Sequence, residues 1–247
     1  MQSSAYGWLM LAGIGVSLVL WSRLARRDDR LILVYVGALL GAFLGAKVAY
    51  LLAEGWRDFG LPDQWLRLAT GKSILGALLG GYGGVEIAKR VAGYREVTGD
   101  WFAIVAPVGI ILGRIGCWLH GCCLGRACDA HWFTLRDASG SERWPAVPVE
   151  IMFNAVALGA IVFLRRQGRC RGQLFHLYLV SYGLFRFAHE FVRDTPRMIG
   201  PVSGYQFIAL GVAVFGAMAY GFRVRMARHS DVNSQNEPPA ALSKKNL

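Results

Sequence analysis

The sequence predicts an all-α integral membrane protein of about seven transmembrane helices, and two observations carry that prediction. Hydrophobic side chains make up 54% of the chain and come in blocks. Each block is long enough to cross a hydrocarbon core about 30 Å thick, which takes roughly 20 helical residues. Charged residues are only 17% of the 247, against about 25% in a typical soluble domain, and they gather between the blocks. The net charge of +11 therefore reads as membrane topology and not as a nucleic-acid surface. Five cysteines in a chain of this length do not make a disulfide scaffold, and the clustering of four of them matters more than their number.

Seven spans are expected, at about 5–22, 31–53, 73–88, 101–119, 147–164, 174–192 and 202–222. The first lacks a basic start and a small-residue cleavage site, so it reads as a retained helix and not a signal peptide. The third is short and glycine-rich. Gly76, Gly80 and Gly84 share one face, the small-xxx-small spacing of a helix pressed against its neighbours; a re-entrant segment is the alternative. The polar stretch 229–247 reads as a disordered cytoplasmic tail behind a single helical domain, 1–228. Most of the eight tryptophans fall near span ends, as interface anchors do.

The positive-inside rule orients the bundle. With the amino terminus outside and the carboxyl terminus in the cytoplasm, the inner loops and tail hold sixteen Lys and Arg residues and the outer loops hold eight. Three cations remain inside spans: Lys47, Arg114 and Arg186. Counted along their helices at 1.5 Å per residue, each lies roughly 8–9 Å below the outer interface. Snorkelling explains one such residue, but three at one level favour a shared polar cavity. Tyr182, Arg186 and Glu190 recur at intervals of four and share a helix face, so Arg186 and Glu190 can pair. Two level arginines suit an anion, because the guanidinium fork offers paired donors to phosphate. A phosphate in the outer leaflet points to a phospholipid headgroup.

Several of these motifs, taken in order, resemble the bacterial prolipoprotein diacylglyceryl transferase family. They are Gly45-Ala46-Lys47-Val48-Ala49-Tyr50; Gly113-Arg114-Ile115-Gly116 with the tail Gly121 to Arg126; Pro148 with Glu150, where the family has a Pro-x-Gln pattern; Tyr182 to Arg193; and Gly204-Tyr205-Gln206-Phe207. The resemblance runs from about residue 31 to residue 220. It implies transfer of a diacylglyceryl group from phosphatidylglycerol to the thiol of a lipobox cysteine in a preprolipoprotein, with release of glycerol phosphate. It also implies a multi-pass place in the bacterial plasma (inner) membrane and no cofactor. Arg114 and Arg186 would then meet the lipid phosphate, with Glu190 and Tyr182 supporting that site; Gly113 and Gly116 are expected to give a close backbone approach around Arg114, and Lys47 to share the substrate cavity. The departures are Leu75 at the position of the family's third-helix histidine, and Cys117, His120 and Cys122 where its signature has Asn, Asn and Glu.

The cysteine–histidine stretch admits several chemistries. His120 is the local candidate for general base, since its unperturbed pKa is near 6.5. Cys122 or Cys123 could act as a nucleophile beside an arginine. Cys117, His120, Cys122, Cys123 and Cys128 could hold a soft metal, although their spacing matches no common zinc pattern and neighbouring cysteines rarely both ligate one ion. A disulfide from Cys128 to Cys122 or Cys123 could tie down the loop at an oxidising outer face. The alternative to lipid transfer is a paralogue of the family in which this cluster binds a soft metal or does thiol redox chemistry. Cys170, His131 and His176 carry no assigned role.

Overall fold

The computed structural model describes residues 28–236 throughout, with side chains to Met226, and before them residues 8, 11, 13, 15–19, 21–23 and 26. The expected first span therefore lies partly outside the described residues, as does the end of the expected tail. Those described between 8 and 23 are helical.

Seven α-helices follow: α1 Arg30–Ala53, α2 Gln64–Thr70, α3 Ile74–Ala92, α4 Gly99–His120, α5 Ala146–Arg166, α6 Leu174–His189 and α7 Gly204–Asn236. Helix α7 runs into the stretch whose composition reads as a tail. Among the described residues, α1, α4, α5 and the part of α7 to Met226 are long and apolar enough to cross a membrane. Helix α6, at 16 residues, is short for that, and α3 is diluted by glycine and by Glu86, Lys89 and Arg90. The short helix α2 was not expected, nor were two hairpins, β1 Leu135–Arg136 with β2 Glu142–Arg143 and β3 Arg197–Ile199 with β4 Val202–Ser203.

The helices turn apolar side chains outward. Leu40, Phe43, Leu44 and Leu52 on α1, Val156 and Phe163 on α5, and Met218 and Phe222 on α7 are all exposed. In water such a surface would aggregate, whereas lipid covers it without cost. The interior between α3, α4, α6 and α7 is a core of Leu75, Leu78, Ala103, Ile110, Leu174, Tyr178, Leu179, Ala209 and Val212.

The glycine face of α3 packs as its spacing predicts, in a continuous 19-residue helix. Gly76, Gly80 and Gly84 lie against Gly45, Gly41 and Gly37 of α1. A Cβ at Gly80 would overlap the carbonyl oxygen of Gly41, and one at Gly41 that of Gly80, so backbone meets backbone. The helical segment before α1 closes on the same pair, where Trp21 donates Nε1–H to the Leu31 carbonyl at 2.7 Å and stacks on Tyr35.

Candidate functional site

At one end of the bundle the carboxyl ends of α4 and α6 meet the amino end of α5. Helix α6 ends at His189 and passes into a 3-10 turn, Glu190–Val192. Arg197 caps that turn, donating from NH1 to Glu190 O at 3.1 Å and from NH2 to Phe191 O at 3.3 Å and Arg193 O at 3.2 Å. Glu190 is thereby held one turn beyond Arg186. Its Oε2 lies 2.9 Å from Arg186 NH2, and Thr195 Oγ1 donates to its Oε1 at 2.6 Å. The intrahelical pair expected from the spacing is present.

Helix α5 supplies a carboxylate that sequence reasoning did not place in the site. Glu150 is wholly buried. Its Oε2 is 2.9 Å from Arg114 Nε, and its Oε1 accepts the Tyr182 hydroxyl at 2.7 Å. Tyr182 therefore serves the cluster through Glu150. Below Glu150, Asn154 donates Nδ2–H to the Glu150 carbonyl at 2.8 Å and accepts the Tyr178 hydroxyl at 2.7 Å.

Arg193, expected in an outer loop, turns inward and joins the two pairs. Its NH1 is 3.7 Å from Glu150 Oε2 and its Nε 3.5 Å from Glu190 Oε2. Three guanidinium groups against two carboxylates leave one positive charge in a dry region, where burying charge is costly unless it is paired. Nε and NH1 of Arg186 and both ring nitrogens of His189 are buried with no hydrogen-bond partner among the described residues. Buried polar groups are rarely left unsatisfied without a reason, and unused guanidinium donors in a net-positive cluster match a monoanion. Two signals could have found the missed residues: a glutamate inside an apolar span, itself a mark of function, and an arginine three residues beyond Glu190.

Other expected members stand elsewhere. Lys47 donates from Nζ to the carbonyls of Leu68 at 2.8 Å, Ala69 at 2.5 Å and Gly71 at 2.9 Å. It caps the carboxyl end of α2, where a cation also suits the helix dipole. All three of its donors are used there, so it does not share a cavity with the arginines. Gly113 allows no close backbone approach, for a Cβ there would meet nothing within 4 Å; Gly116 is buried within α4.

The cysteines are organised by the way α4 ends. Gly121 adopts φ +69°, its N–H bonds Trp118 O at 3.0 Å, and the Cys122 N–H bonds Cys117 O at 3.1 Å. This is the Schellman cap, which sets the residue after the glycine against the residue five before it. Cys122 accordingly folds back on Cys117. Cys123 also has positive φ, +62°, unusual for a residue with a Cβ. The three sulfurs lie within 4.8 Å of one another, and His120 and Cys128 are outside the group. The Cys117 and Cys122 thiols, and then the Arg114 and Arg193 guanidinium groups, pull the Cys123 thiol well below its ordinary value. All five cysteines are free, so of the alternatives the disulfide from Cys128 to Cys122 or Cys123 is not made; Cys128 is held by its N–H bond to Glu142 O at 3.1 Å. His120 ends α4, exposed.

The loop after the cap docks on the turn that carries Arg193. Arg126 N–H bonds Val192 O at 2.9 Å, and Arg143 NH1 meets Asp194 Oδ2 at 3.0 Å. Tyr205 and Gln206 are also structural: Tyr205 donates to Glu54 Oε1 at 2.8 Å, and Gln206 donates to Phe187 O at 3.1 Å while accepting Ser203 N–H at 2.8 Å. A cavity of about 570 Å³, lined in part by Tyr50, Glu54, Arg57, Arg67 and Pro196, reaches the edge of the network, since Pro196 follows the Thr195 that bonds Glu190.

Known proteins are similar to this chain in sequence. The phosphatidylglycerol–prolipoprotein diacylglyceryl transferase of Cupriavidus necator is 30% identical over 214 residues, covering 78% of this chain and 75% of its own. The protein of the same name from Aeromonas salmonicida is 30% identical over 229 residues, 86% and 83% of the two chains. One from Dehalococcoides mccartyi is 28% identical over 242 residues, 92% and 91%. The family model for prolipoprotein diacylglyceryl transferase matches residues 1–222, and the chain belongs to that family.

Proposed function

We propose that this protein transfers the diacylglyceryl group of phosphatidylglycerol to the cysteine thiol of a prolipoprotein signal region. The observation that carries the chemistry is the buried Arg114–Glu150–Arg193–Glu190–Arg186 network with its unfilled Arg186 donors. A phosphodiester carries the single negative charge that the network lacks. In the transfer, charge builds on the departing glycerol phosphate, and donors already oriented in a dry site stabilise it without reorganising. Glu150 and Glu190 keep the guanidinium forks in place, Tyr182 holds Glu150, and the cavity beside Pro196 is the headgroup's way in. His120, at the exposed end of α4, receives the proton that the acceptor thiol gives up.

The same reading puts the protein in the bacterial inner membrane with seven spans, the expected first span at about 5–22, α3 and α6 joining the four longer helices. The amino terminus is outside, as the excess of basic residues at the other face supports. The network then lies in the outer half of the bilayer, where a secreted acceptor arrives. The test is incubation of purified protein with phosphatidylglycerol labelled in its diacylglyceryl part and a lipobox peptide. Labelled peptide is expected, and none from folded protein would overturn the reading.

A further inference from the structure

Lipid-phosphate binding leaves the thiol trio unused. We infer that Cys117, Cys122 and Cys123 form a three-thiolate site for a zinc-class divalent ion, whose open fourth position takes the acceptor thiol; the second half rests on the transfer reaction proposed above.

Two observations support it. The sulfurs already lie within 4.8 Å of one another, and tetrahedral zinc with Zn–S bonds of about 2.3 Å needs them about 3.8 Å apart, so closure asks for movements of only about 1 Å. Neighbouring cysteines seldom share an ion because an extended backbone turns their side chains apart. Here the positive φ of Cys123 brings its sulfur round to the side where the Schellman cap has set Cys122 against Cys117. A disulfide would use two of the sulfurs and leave the third unexplained.

Exposure gives the site a direction. Cys117 is buried, Cys122 half-buried and Cys123 exposed, so the ion is anchored inside and open outside, the arrangement of a zinc site that keeps a position for substrate. A thiol bound there loses its proton, which passes through water to His120. The thiolate sulfur then forms a bond to the glyceryl carbon that carries the phosphate. The carbon–oxygen bond to phosphate breaks, and the electron pair leaves with glycerol phosphate. Nothing is oxidised or reduced. Arg114 lies one turn before Cys117 on α4, which puts the nucleophile beside the groups that receive the leaving phosphate.

The probe is Co(II), titrated into chelator-stripped full-length protein in lipid nanodiscs. One equivalent should bind with thiolate-to-cobalt charge-transfer absorption and tetrahedral visible bands, and Zn(II) should displace it. A lipobox peptide should raise the charge-transfer intensity, and its cysteine-to-serine form should not. Since loss of an outer-shell group alone costs 10–100-fold, Cys122→Ser and Cys123→Ser should weaken binding by at least about 100-fold, while Cys128→Ser leaves it unchanged. Cys123 is exposed, so its variant will fold and is decisive. No stoichiometric cobalt, equal binding by Cys123→Ser, or a spectrum indifferent to the peptide would each overturn the inference. Lipid transfer on the same samples separates the two readings. Transfer that persists in metal-free protein overturns the ion site and leaves the transferase standing. An ion that takes the peptide without lipid transfer supports the site and removes the transferase.

Discussion

Arg114 Nε and Glu150 Oε2 meet at 2.9 Å across α4 and α5, and the carboxylate is wholly buried. Removing one partner of such a pair strands the other without water. Glu150→Leu should therefore cost about 3–5 kcal/mol, seen as a lower unfolding temperature in detergent. Glu150→Gln keeps an acceptor for the Tyr182 hydroxyl and nearly the same volume, so its loss should be smaller. Equal melting of the two variants would show that the Tyr182 hydrogen bond adds nothing beyond the lost charge pair, and wild-type stability in Glu150→Leu would show that the pair itself does not matter.

Arg186 tests whether the fork, and not just the charge, is used. Arg186→Lys keeps a cation beside Glu190 but presents a point charge where two parallel donors stood. Lipid-transfer rate should fall at least about tenfold, the effect of roughly 1.4 kcal/mol of lost transition-state binding, while thermal stability changes much less than in Arg186→Ala. A Lys variant with full activity would leave phosphate recognition to simple charge.

Lys47→Ala should separate a cap from a ligand-binding residue. Its three hydrogen bonds to carbonyls at the carboxyl end of α2 come from a charged donor, and such bonds are worth about 1.5–3 kcal/mol where they are desolvated and less here, where Lys47 is partly exposed. Hydrogen exchange of the α2 amides should speed up, with phosphatidylglycerol affinity unchanged. A selective loss of lipid affinity would return Lys47 to the site.

Two glycines of α3 should respond with opposite sign. Gly80→Ala drives a methyl into the Gly41 backbone, and such overpacking costs about 1–3 kcal/mol. Gly83 has open space around the added atom, so Gly83→Ala should gain about 0.5–1 kcal/mol from lower chain entropy. Thermal unfolding of the two proteins side by side decides it.

The loop that docks on Arg193 should loosen in acid. Hydrogen bonds from Ser139 and from Arg143 hold the Asp137 carboxyl down at about 2, against a usual value of 3.8. Because the folded value is the lower one, its contribution is complete above about pH 4 and is lost as pH falls towards 2. Exchange protection of the Arg126 amide should follow that window, and Asp137→Asn should abolish the dependence.

What could be read from the sequence was local or periodic. Arg186 and Glu190 pair because four residues span one helical turn, and the glycine face of α3 packs because its spacing repeats. The Arg114–Glu150 contact joins two helices whose relative rotation no short window encodes. Lys47 sits at a suggestive depth, but its partners belong to α2, a seven-residue helix too short for a periodic signal. The sulfur trio was nearly legible, since Gly121 after a long helix marks a left-handed cap and the cap dictates the Cys117–Cys122 contact. Cys123 joins only through a backbone conformation that its residue type does not announce.

The most direct test compares initial rates of diacylglyceryl transfer from phosphatidylglycerol to a lipobox peptide by the wild-type protein and by folded Arg186→Ala. A buried arginine network that holds the lipid phosphate predicts transfer by the first and a loss of at least about 100-fold in the second, as for removal of a donor that stabilises developing charge. No transfer by the wild type, or equal rates for the two, would contradict it.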